Sequence, residues 1–68
     1  MNINTEFKKY VGLVGGIDKA MTQLGYSRSM VYKTINGERY PSKEKARDIN
    51  RNYPEVSFMG LVFPNDIL

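Results

Sequence analysis

Gly25 stands where a helical pattern stops, and that stop constrains everything around it. Ahead of it, Ile17, Ala20, Met21 and Leu24 recur at i, i+3, i+4 and i+7, one apolar stripe along a helix. The stripe ends at Leu24-Gly25-Tyr26, and glycine alone takes a left-handed backbone without a Cβ penalty, so Gly25 closes the helix and redirects the chain. Ser27 then offers an N-cap for a second helix. Along residues 27–35, Val31, Thr34 and Ile35 fall on one side, while Arg28, Ser29, Tyr32 and Lys33 share the other. Asn36-Gly37 ends this helix with a pair suited to positive φ. Two short helices joined by a tight bend read as a helix-turn-helix unit.

A helix with one apolar face and one face of long hydrogen-bonding side chains is what a DNA major groove accepts. Arg28 and Tyr32 are four residues apart, as are Ser29 and Lys33, so the pairs form adjacent rows. Arginine bonds guanine O6 and N7 bidentately, and lysine does so with looser geometry. Tyr32 offers a ring edge to a thymine methyl and a hydroxyl to a base or phosphate, and Ser27 and Ser29 can reach either. Ser27, Arg28, Ser29, Tyr32 and Lys33 are therefore the candidate base-contacting residues. The plainer alternative is a solvated polar face with Tyr32 half-packed. Val31 is a core position, and Met30 stands between the core and the groove edge.

Upstream, Asn4 or Thr5 caps a helix reaching about Val14, with Glu6 in its first turn, where an anion suits the helix dipole. Phe7, Tyr10, Val11 and Val14 form its buried stripe; Lys8 and Lys9 point outward. Gly15-Gly16 breaks that helix and opens the next, placing the N–H groups of Gly16 and Ile17 at a helix N-terminus that favours phosphate, with Lys19 one turn in. Downstream, Arg39 and Lys43 are further phosphate candidates. Pro41-Ser42 starts a helix whose inner positions are Ala46, Ile49 and Tyr53, and Tyr53-Pro54 ends it. Residues 56–64 are unusually apolar, and two structures compete there: a short helix capped by Ser57, or an edge strand favoured by β-rich composition and Gly60. Helix is the preferred expectation. Either way the segment has more apolar surface than one small core needs, so Phe58, Met59, Val62 and Phe63 are expected to meet a second subunit.

At 68 residues the chain makes one domain, 1–68, which buries only about 60% of its unfolded surface. There is no cysteine and no histidine, hence no disulfide frame, no thiolate metal site and a reducing cytoplasmic setting as the expectation. No stretch reaches the roughly 20 apolar residues of a membrane span. The net charge is +3, unevenly placed: residues 19–51 hold eight cations against three carboxylates, while residues 52–68 carry only Glu55 and Asp66. A basic middle with an apolar end points to a polyanion-facing side and a separate packing side. Catalysis is not expected, since no nucleophile–base pair, phosphate-cradling glycine loop or close carboxylate pair can be assembled. Neither a cofactor nor a metal nor a small-molecule ligand is expected. RNA binding is disfavoured because the Phe and Tyr residues lie at core spacing.

Gly15-Gly16-Ile17-x-Lys19, then Leu24-Gly25, Val31 six residues on, and Asn36-Gly37 resemble the Cro-type and lambda-repressor-type phage regulators. The tail YPEVSFMGLVF is similar to the "YPEVS…WLL" end of such domains, so the resemblance covers most of the chain. It implies an all-α, lambda-repressor-like bundle of about five helices, the last over residues 58–63, or a strand there as in some Cro relatives. It further implies that Asn36 contacts the DNA backbone, and that a homodimer binds a palindromic double-stranded operator in a bacterial cytoplasm. With no sensor or protease segment, a Cro-like repressor acting by concentration alone is the expectation. Two positions depart from the family pattern: Met21 replaces an alanine four residues before the turn glycine, with Ala20 beside it, and Thr34 replaces a bulky apolar residue. A second class of function is an antitoxin-like interaction module that uses the 56–68 surface.

Overall fold

Every helix begins on a residue able to start one. In the computed structural model, which describes residues 3–62, α1 (Thr5–Val14) starts at Asn4, whose Oδ1 accepts the Phe7 N–H at 3.0 Å. It ends at Gly15, whose φ of 108° lets two amides turn back onto the last carbonyls. Next, α2 (Ile17–Leu24) opens at Gly16 without a side-chain cap and closes at Gly25, φ 70°. Ser27 caps α3 (Arg28–Ile35) by accepting the Met30 N–H at 3.1 Å. Ser42 does the same for α4 (Lys43–Asn52), accepting the Lys45 N–H at 3.2 Å.

The competition over the last segment resolves to helix: α5 (Phe58–Val62) follows Ser57, whose Oγ accepts the Gly60 N–H at 3.1 Å. Its N-terminus is held from outside as well, because Glu6 Oε1 accepts the Ser57 N–H at 2.7 Å. A carboxylate at a helix start satisfies an orphan donor and complements the dipole, which an edge strand would not require. Gly60 is buried here, and a Cβ on it would collide with Glu6 Cγ. The glycine that looked compatible with a strand is thus what lets α5 lie against α1. Among the described residues the architecture is five helices and no strand; Phe63 lies outside them.

The core joins Phe7, Tyr10 and Val11 of α1, Ala20 and Leu24 of α2, Val31 of α3, Ala46 and Ile49 of α4, Val56, and Leu61 of α5. Val14, Ile17, Met21, Ile35 and Tyr53 pack against it half-buried. Met21 and Thr34 each have a local solution. Ala20 is fully buried while the longer Met21 sits at the margin, so the small residue takes the tight place. Thr34 is fully buried too, and its hydroxyl donates to the Met30 carbonyl at 2.7 Å, which removes the cost of an unpaired polar group.

Among the described residues Asn4 is the other buried polar one and the farthest-reaching. Its Nδ2 donates to the Leu61 carbonyl at 3.1 Å, and its backbone N–H donates to the Ile35 carbonyl at 2.8 Å. Asn4→Ala removes the cap and the side-chain donor to the Leu61 carbonyl, so it should lower the unfolding free energy by about 2–3 kcal/mol, read from urea denaturation.

Tyr10 is buried, its hydroxyl donating to Gln23 Oε1 at 3.0 Å. Burial first, then the neighbouring Tyr53 and Tyr26, pushes its pKa up to about 12 from 10.0. The folded chain therefore keeps a proton that the unfolded chain releases near pH 10. This contribution is complete below that pH, and about 2–3 kcal/mol of stability should disappear as pH rises from 10 towards 12. Denaturation of Tyr10→Phe across the same range should show a shallower alkaline decline.

Candidate nucleic-acid interface

Two anchors fix the angle at which α3 leaves the turn. At its start, Tyr26 is half-buried, and Lys45 Nζ lies 5.5 Å from the centre of its ring while donating to the Leu24 carbonyl at 2.8 Å. The ammonium thus closes the end of α2 and clamps the turn. Towards its other end, Val31 and Thr34 are fully buried, and the Ile35 carbonyl receives the Asn4 amide.

Ser27, Arg28, Ser29, Tyr32 and Lys33 all lie exposed, Tyr32 at 48% of its surface. The structure brings the five together, as their spacing predicts. Ser27 has one constraint: its Oγ already accepts the Met30 N–H, so its O–H remains to donate outward. Met30 is half-buried.

Asp18 is the residue that sequence reasoning missed. Its Oδ1 lies 2.5 Å from Arg28 Nη2, joining the first turn of α2 to the start of α3. The two side chains remain 80% and 56% exposed, so the pair adds little stability but does orient a guanidinium. The sequence contains a faint signal, an acid in the first turn of α2, which helix-dipole reasoning alone explains. Only the turn brings positions 18 and 28 together.

The phosphate candidates divide. Lys19, Asn36, Arg39 and Lys43 are exposed. Gly16 requires correction: its N–H donates to the Val11 carbonyl at 2.9 Å, finishing α1, and is not presented to an anion. The Ile17 amide, in the first turn of α2, has no acceptor within its own helix. Asn36 keeps a right-handed φ of −78°, so only Gly37, at 82°, adopts the positive φ expected of the pair. The amides of Glu38 and Arg39 both return to the Lys33 carbonyl, at 2.9 and 3.3 Å, which folds this loop against the end of α3.

The basic surface is narrower than the charge count implies. Lys45 is engaged internally, and Lys9, expected to point outward, donates to Glu6 at 3.3 Å and to the Glu55 carbonyl at 3.2 Å. Arg51 pairs with Asp48 at 3.4 Å, and Arg47 lies 6.0 Å from the Phe58 ring centre. On α5, Met59 is 51% exposed while Phe58 and Val62 are half-buried against the core. No group of three or more metal-ligating side chains occurs among the described residues, and none of their helices is long and apolar enough to cross a membrane.

Comparison with protein-family models, curated proteins and solved structures returns no match. Internal and free cations should separate on substitution. Lys45→Ala should cost about 1 kcal/mol of unfolding free energy by losing a carbonyl partner and a ring contact, whereas Lys33→Ala should stay within about 0.5 kcal/mol of the parent in the same urea titration.

Proposed function

We propose that the chain is a sequence-specific double-stranded-DNA-binding transcriptional regulator of the Cro or lambda-repressor kind, with α2, the Gly25–Ser27 turn and α3 acting as a helix-turn-helix. The observation that carries this reading is the division of α3: Val31 and Thr34 are fully buried, while Arg28, Ser29, Tyr32 and Lys33 face solvent together. In this reading α3 enters the major groove, where those side chains meet base edges. Lys19, Asn36, Arg39, Lys43 and the Ile17 amide hold the flanking phosphates, and phosphate contacts supply much of the affinity. The protein acts in a bacterial host cytoplasm as a repressor.

The active form is a two-fold dimer built on the α5 end, with Phe58, Met59, Val62 and Phe63 in the contact. Exposed Met59 beside half-buried Phe58 and Val62 supports that choice. A two-fold pair sets its recognition helices about 34–36 Å apart, so the operator is an approximate palindrome.

Selection of bound DNA from a random pool tests the class and the symmetry at once. A symmetric consensus is the expected result; no enrichment would overturn the reading and favour a protein partner on residues 56–68. On the selected site, Arg28→Ala should relax discrimination at one base-pair position by about 1–3 kcal/mol. Lys43→Ala should weaken all sequences alike and reduce the salt slope by about one.

A further inference from the structure

An exposed arginine beside DNA has two attractive destinations. It can pair with a phosphate, which carries no sequence information, or with guanine O6 and N7, which does. Flexibility and charge favour the phosphate, because a mobile guanidinium finds the densest negative charge first. A group that holds Arg28 away from the backbone tips that choice towards the base.

Asp18 is placed to do that. Its Oδ1 contacts Arg28 Nη2 at 2.5 Å, across the turn from a different helix. A guanidinium presents two donor forks, Nε with Nη2 and Nη1 with Nη2, and Nη2 contributes one hydrogen to each. A single bond at Nη2 therefore engages one fork and leaves the other complete for a second acceptor. The carboxylate also puts a negative charge beside the guanidinium, which repels a phosphate approaching the same spot. A guanine edge is neutral overall and offers two acceptors at the spacing of the free fork. Both effects act in the same direction.

We propose that Asp18 is a specificity-determining residue: it positions Arg28 as a reader of guanine and denies it to the phosphate backbone. This rests on the DNA-binding reading above and adds to it the base that the site selects. A residue serving this purpose weakens total affinity while sharpening discrimination. A merely structural ion pair changes neither in that combination.

The test uses the full chain and its Asp18→Asn variant on the consensus obtained by random-pool selection, with every single base-pair substitution at each position. The pair is exposed, so the variant should fold, and its circular dichroism and thermal midpoint should match the parent. Asp18→Asn should bind mismatched DNA more tightly, with a salt slope steeper by about one as Arg28 acquires a phosphate. At one guanine position discrimination should fall about tenfold, the size of one base contact. In an Arg28→Ala background the same substitution should leave discrimination unchanged, since the reader is absent. An equal shift on all sequences, or an undiminished guanine preference, would overturn the role of Asp18 while leaving DNA binding intact. Failure of the unaltered chain to enrich any sequence would overturn the DNA reading, and this inference with it.

Discussion

Asn4 connects three parts of the molecule that no apolar contact would align by itself. Its side-chain oxygen starts α1 through the Phe7 amide, and its side-chain nitrogen reaches Leu61 in α5, 57 residues away. Its backbone amide meets the Ile35 carbonyl at the end of α3, and its own carbonyl accepts from Lys8. Apolar packing is tolerant of small rotations, whereas hydrogen bonds weaken steeply off axis. With Asn4 fully buried, each of these bonds is expensive to break, so the ends of α3 and α5 are located against the start of α1 with little freedom. No buried side-chain nitrogen or oxygen among the described residues lacks a partner, which is what allows a core this small to contain an asparagine and a threonine.

Around that frame the cations sort into two populations. Lys45 and Lys9 bind backbone carbonyls and fasten one helix to another segment, while Lys19, Lys33, Arg39 and Lys43 are exposed and make no such bond among the described residues. Arg28 and Arg51 belong to neither group: each is exposed yet already paired with an aspartate, Asp18 and Asp48 respectively. Formal charge along the sequence treats all of them alike. What a polyanion would meet depends instead on which ammonium groups the fold has already paired.

The helical plan was largely legible in the residues. The stripe Ile17, Ala20, Met21, Leu24 and its stop at Gly25 predicted α2 and its left-handed end, because both are properties of a few neighbouring residues. Ser27 and Ser42 capped as expected for the same reason. The outward group on α3 followed from helical periodicity alone. Gly16 was misjudged because its amide looks free at the start of α2 but is also within reach of the last turn of α1.

Local sequence determined where helices begin, where they stop and which side chains share a face, since capping, periodicity and glycine stereochemistry act over at most about a turn or two. Tertiary structure alone decided the pairing of Asp18 with Arg28, the internal use of Lys45 and the need for Gly60, and it added the Glu6 bond to a helix over residues 58–62 that the Ser57 cap already favoured. Each of these depends on a partner from another element: Glu6 against Ser57 and Gly60, α2 against α3, the Leu24 carbonyl against α4. The contact exists only after the chain has folded back on itself, and a periodic pattern holds no record of which residue will arrive opposite.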